Sequence, residues 1–208
     1  MRTTARTIPL VLLSTLLLVS CASSGVDMQE PDRVLGREDD VRVDAQFFAA
    51  AYSQGGSVSI IYEIENLRTT SIAFANLNPE LSYENETGTF TATVGSEVPG
   101  NELVPRLVEI RPGERVKFNG GARFIVPVTR GLPGGVPREI RLKLVYLGDI
   151  EPFRELIGIP ETAVRDRELA DRLFPLWIQH SMTVTTNSAP IRWGASKSSG
   201  GADEIRKF

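Results

Sequence analysis

Between Ser57 and Asn66 the chain alternates: Val58, Ile60, Tyr62 and Ile64 fall on one side, with Ser59, Glu63 and Glu65 on the other, Ile61 being the one apolar residue among them. Side chains change face at every residue of a β-strand. Such a run buries one continuous apolar surface only as a strand, because a helix would scatter the same residues around its axis. The same period recurs at Val41, Val43, Ala45 and Phe47, and at Ile72 and Phe74. It returns at Phe90, Ala92 and Val94 against Thr89, Thr91 and Thr93, and at Ile140, Leu142, Leu144 and Tyr146 against Arg141 and Lys143. Half-buried strands are therefore the building unit.

Turn chemistry separates these runs. Asn85-Glu86-Thr87-Gly88 reads as a hairpin loop, with Gly88 suited to a positive φ. Arg111-Pro112-Gly113-Glu114 places Pro and Gly at the central positions of a type II turn. Asn119-Gly120 predicts a type I′ hairpin leading into Phe124, Val126 and Val128. Strands of this length, spaced by turns, predict a mainly β fold: an antiparallel β-sandwich over residues 41–193. The long strand ending at Asn66, its short return strand and the Pro-Gly-Glu unit within Leu107 to Phe118 resemble bacterial immunoglobulin-like or fibronectin-III-like domains. That resemblance spans Val41 to Ile150. It implies a fold and no activity.

The β pattern breaks at Glu151. Ile159-Pro160-Glu161 introduces a helix and Pro175 ends it, with Glu161–Arg165 and Glu168–Arg172 at the supportive i,i+4 spacing. Trp177 to Thr186 then reads as the last strand. The sequence thus predicts a helical insertion at about 151–175, before the last strand, and a disordered tail over 194–208 rich in Ser, Gly and Lys.

The amino terminus carries an address. Arg2 and Arg6 precede an apolar run of about twelve residues, Ile8 to Val19, short of the roughly twenty that a membrane-spanning helix needs. A charged start, an apolar middle and small residues at its end make residues 1–20 a secretory signal. The run closes on Leu18-Val19-Ser20-Cys21, which holds the single cysteine of the chain. This tetrad resembles the lipobox of bacterial lipoproteins. The resemblance implies cleavage between Ser20 and Cys21, a diacylglyceryl group on the Cys21 sulfur, and membrane attachment through that lipid. Two acyl chains hold a protein durably where one does not. Ala22 and Ser23 follow, without the Asp that favours inner-membrane retention in Gram-negative lipoproteins. The resemblance therefore implies the outer membrane. Residues 21–40, polar and punctuated by Gly25, Pro31 and Gly36, are expected to be a lipidated flexible tether.

Composition narrows the chemistry. The chain has 208 residues with 23 basic and 26 acidic side chains; loss of Arg2 and Arg6 would leave 21 against 26. A net negative domain has no electrostatic reason to bind nucleic acid, whose phosphates demand Lys and Arg. A lone cysteine excludes an intrachain disulfide and cysteine-based metal sites. His180, the only histidine, alternates with Ile178 and Met182 and reads as a half-buried strand residue. No phosphate-binding loop, dinucleotide motif or nucleophile elbow occurs. No catalytic residue, metal ligand or cofactor is assigned.

These features point to a membrane-anchored envelope module that acts by binding another protein, as an assembly or accessory factor. The candidate interface is the insertion, with Trp177, Arg165 and Arg172, although core packing is the commoner fate of such a tryptophan. Two alternatives stand beside it. One is a periplasmic hydrolase or a protease-inhibitor domain using the Gly131 to Pro137 loop; the other is a structural or glycan-binding module.

Overall fold

The alternating run Ser57–Asn66 forms β3, the second longest reach of apolar alternation in the chain being β10 (Glu139–Leu147), and each strand lies inside its own sheet. The computed structural model describes residues 32–48, 56–95, 102–124 and 137–192. Strands numbered in chain order build a mainly β fold.

The first sheet has the order β1-β2-β3-β9, with β1 at Arg33–Glu38, β2 at Val41–Phe48 and β9 at Arg115–Arg123, all antiparallel. The second runs β5-β6-β10-β4-β8, from β5 (Glu80–Glu84) and β6 (Thr89–Val94) across β10 to β4 (Ile72–Ala75) and β8 (Leu107–Ile110). Strands β12 (Ser181–Thr185) and β13 (Ala189–Pro190) also pair with β10, antiparallel, making seven. One pairing in this sheet is parallel: β6 on β10, with Thr91 opposite Arg141 and Thr93 opposite Lys143.

The inner faces of both sheets meet in one core. Val41, Val43, Ala45 and Phe47 of β2 and Val58, Ile60, Tyr62 and Ile64 of β3 pack in a cluster with Phe90, Ala92 and Val94 of β6 and Ile140, Leu142, Leu144 and Tyr146 of β10. These are the apolar members of the alternating runs, and burying each of the larger ones contributes roughly 1.5–3 kcal/mol. Phe118 of β9 joins the layers, lying 5.4 Å from the Tyr62 ring and 4.8 Å from Phe74.

Between β10 and β12 the chain makes a 3-10 turn at Glu151–Phe153, helix α1 (Arg154–Ile157), a short strand β11 (Ala163–Arg165) and helix α2 (Arg167–His180). Strand β11 pairs antiparallel with β7 (Leu103–Pro105). Ala170, Leu173 and Trp177 of α2 form a second core with Phe153, Leu156, Leu107, Leu147, Ala73 and Ala75. This layer covers the outer side of β4, β8 and the end of β10.

Four local expectations are corrected. The tether does not extend to Asp40: Arg33–Glu38 is a strand, joined to β2 by a two-residue loop in which Asp39 and Asp40 take φ of 47° and 57°. Asp tolerates that left-handed geometry, which a type I′ turn requires at both positions. Asn119-Gly120 is no hairpin but the middle of β9, where Gly120 faces Pro79; a Cβ there would lie 2.7 Å from the proline ring. Pro175 does not end the helix. It lies inside α2 on the exposed side, while Ala170, Leu173 and Trp177, spaced three and four apart, hold the opposite face. Residues 177–180 are consequently helical, and the following strand begins at Ser181. The Pro112-Gly113 turn does form: Gly113 has φ of 73° and the Glu114 N–H donates to the Arg111 carbonyl at 3.0 Å.

Candidate functional site

Ser20 and Cys21, and with them the lipidation and cleavage sites, lie outside the described residues. So does the Gly131 to Pro137 loop apart from Pro137, and so does the tail from residue 194. Among the described residues no helix is long and apolar enough to cross a membrane.

Helix α2 owes its start to Asp166, whose carboxylate accepts a hydrogen bond from the Leu169 N–H at 2.9 Å. That aspartate cap was readable in the sequence; Pro160-Glu161, five residues earlier, was the misleading signal. The helix carries Trp177 into the core, 1 % exposed, with its ring edge-on to Phe153 at 5.5 Å. As a candidate interface residue Trp177 is thereby corrected: its aromatic surface is spent on packing the helix against the sheet. Arg165 and Arg172 are exposed, and Arg172 Nη2 pairs with Glu155 of α1 at 2.7 Å. The apolar residues that α2 does expose are Phe174 and Ile178, one turn apart.

His180 ends α2 instead of lying in a strand. Its Nδ1 is 3.7 Å from Asp149, and its ring meets Phe153 at 6.1 Å. The neighbouring Ser181 hydroxyl donates to the Trp177 carbonyl at 2.7 Å, so this serine is engaged in capping the helix. Among the described residues no group of three His, Cys, Asp or Glu side chains is placed to hold a metal ion.

The outer side of the first sheet is a ladder of paired charges. Arg33 Nε donates to Asp44 at 2.7 Å, Arg42 reaches both Asp44 (3.2 Å) and Glu65 (3.5 Å), and Arg115 reaches Glu65 (3.0 Å) and Glu63 (3.3 Å). The hydrogen bond to Glu65 holds the Arg115 guanidinium above its usual range. This face is electrostatically self-satisfied.

The outer side of the second sheet differs. Where the helical layer stops, β5, β6 and β10 leave a groove of about 910 Å³. Strand pairing builds its floor in two rows. One row is Ser82, Thr91 and Arg141; the next is Glu80, Thr93 and Lys143. Arg141 Nε donates to the Thr91 hydroxyl at 3.0 Å, and its Nη2 lies 3.5 Å from Glu84. The guanidinium plane is therefore fixed before any ligand arrives. Leu77, Leu103 and Pro105 supply an apolar rim.

No family model, curated protein or solved structure matches this chain.

The sequence showed the outward alternation of Thr89, Thr91 and Thr93 and of Arg141 and Lys143, yet not that the two sets share one surface. Their union depends on the parallel pairing of β6 with β10, whose register partners, such as Phe90 and Ile140, stand fifty residues apart in the chain, a long-range choice that no local pattern announces.

Proposed function

We propose that this chain is a lipid-anchored lipoprotein of the bacterial envelope whose folded part works by binding and not by catalysis. The observation that carries the reading is Leu18-Val19-Ser20-Cys21 closing an apolar run too short to span a bilayer. The absence of Asp at Ala22 supports the outer membrane as its address. We read the fold as immunoglobulin-like, with Glu151–His180 inserted between two strands that pair with each other. Two sheets sharing one core support that reading, while the parallel β6–β10 pair departs from its all-antiparallel pattern.

The ends of the described chain are also arranged suitably. Strand directions place Asp32, Phe48, Gly56, Phe124 and Pro137 at one pole of the sheets, with Asp39-Asp40, Asn66 and Pro112-Gly113 at the other. An anchor at Cys21 would join the fold at the first pole, eleven residues before Asp32. The partner surface on this reading is the helical layer, where Phe174 and Ile178 are exposed beside Arg165 and Arg172. Aromatic and arginine side chains dominate the energetics of protein interfaces.

Expression of the full chain and of Cys21→Ala with labelled palmitate tests the anchor. Label in the membrane fraction of the wild type, absent from the variant, is the expected result. Label persisting in Cys21→Ala would overturn it.

A further inference from the structure

We infer that the groove over β5, β6 and β10 is a binding site for an uncharged or N-acetylated oligosaccharide. The inference stands apart from the lipid anchor, since every residue it uses belongs to the folded part.

The charge balance comes first. Arg141 and Lys143 on the floor are matched by Glu80 and Glu84 along β5, so the groove has no net field to draw a polyanion. What it offers instead are donors and acceptors set close together: the half-buried Thr93 hydroxyl and the exposed Ser82 hydroxyl, which also reaches the Thr91 carbonyl, beside planar guanidinium and carboxylate groups, while the buried Thr91 hydroxyl positions Arg141. Sugars present the complement, because each hydroxyl both donates and accepts and neighbouring hydroxyls can bridge one planar side chain. The C–H faces of the same rings need apolar surface, which the exposed Leu103 and the half-buried Leu77 supply at the rim.

Preorganisation favours the same class. Arg141 is held by Thr91 and Glu84, and Thr91 is 9 % exposed, so the central donor is ordered in advance. The five residues of β5 extend about 17 Å, which suits a short chain of sugar units better than a monosaccharide. The volume of about 910 Å³ is also within the range of small-ligand sites.

The test uses the full-length chain in mild detergent, titrated calorimetrically with chitotetraose and with cellotetraose, and sedimented with purified peptidoglycan sacculi. Saturable binding of either tetrasaccharide is expected. Chitotetraose binding together with sacculus co-sedimentation identifies a cell-wall glycan; cellotetraose binding without it identifies a polysaccharide from outside the wall. The Thr93→Val/Lys143→Gln variant should bind at least about tenfold more weakly with an unchanged melting temperature. Glu84→Gln, at the solvent-exposed rim, provides a second variant that leaves the core untouched and should also weaken binding. Failure of the wild type to bind either sugar or sacculi, or equal binding by the wild type and both variants, would overturn the inference.

Discussion

The Asn66 side-chain amide donates to the Ile110 carbonyl at 2.9 Å, tying the last residue of β3 in one sheet to the last residue of β8 in the other. The same amide reaches the Thr70 carbonyl at 2.9 Å, and its oxygen accepts from the Arg68 N–H at 3.0 Å. Asn66 is fully buried, and its backbone also bonds to Gly113 and Glu114. Replacement by Ala leaves several buried backbone groups unpaired, at about 1–3 kcal/mol each when water cannot reach them. Asn66→Ala should therefore lower stability by roughly 2–4 kcal/mol, read as a reduced urea midpoint with an unchanged m-value. A midpoint equal to wild type would show that this junction does not hold the sheets together.

The Arg33–Asp44 pair is the most enclosed of the charge ladder, with side chains 8 % and 5 % exposed. Removing one partner of a buried pair strands the other charge, at roughly 3–5 kcal/mol. Asp44→Ala should approach that loss, whereas Arg37→Ala, whose partner Asp40 is exposed, should change stability by less than about 1 kcal/mol. Chemical denaturation of the two variants side by side checks the contrast.

Alkali should loosen the core through its tyrosines. Burial pushes the hydroxyls of Tyr62 and Tyr146 from 10.0 up to about 12, with Arg68 acting in the opposite direction on Tyr146. Between those values the unfolded chain has released the protons that the folded chain retains. Stability is therefore unaffected by these groups below pH 10 and falls from pH 10 towards 12, by up to about 1.4 kcal/mol per pH unit for each tyrosine. Tyr146→Phe should flatten part of that slope with little loss of stability at neutral pH, because the buried Tyr146 hydroxyl makes no well-formed hydrogen bond and only a weak polar interaction with Arg68. Urea midpoints from pH 8 to 11.5, with tyrosinate absorbance followed in parallel, give both results.

Helix α2 offers a test of its two faces. Trp177→Ala should cost about 3–5 kcal/mol, because it empties the centre of the second core. Phe174→Ser, at a position 46 % exposed, should be nearly neutral for folding. If the helical layer is a protein-docking surface, the same Phe174→Ser change should reduce crosslinking to an envelope partner while the melting temperature holds.

Gly120 separates a packing constraint from a turn constraint. Gly120→Ala drives a Cβ against the Pro79 ring and should cost about 1–3 kcal/mol, since a stiff proline must move. Gly113→Ala meets no atom within 4 Å and pays only for its positive φ, about 1 kcal/mol. Thermal melts of both variants distinguish the two origins.

Strand faces were legible because burial and periodicity agree: Val58 through Ile64, Phe90 through Val94 and Ile140 through Tyr146 are all buried on the side that alternation assigns. What misled was local chemistry read without its surroundings. Asn119-Gly120 carries the best hairpin dipeptide, yet its glycine is required by the approach of Pro79. Pro175 is the strongest helix breaker, yet three buried anchors carry α2 through it. The groove was half legible. Its hydroxyls and cations were assigned to outer faces, but which strands stand together is decided by pairing across the whole chain.

The position of the two ends of the described fold has a practical bearing. The Asp32 carbonyl accepts from Phe47 beside the free end of β2, and Ile191 donates to Arg138 at the corresponding end of β10. Both ends of the described fold leave from one pole, so a label, a linker or a fused neighbour placed there stays clear of the opposite turns. A reporter built into Pro112-Gly113 would ride on the far tip, and, if Cys21 carries the proposed lipid, its distance from the bilayer would measure how upright the molecule stands.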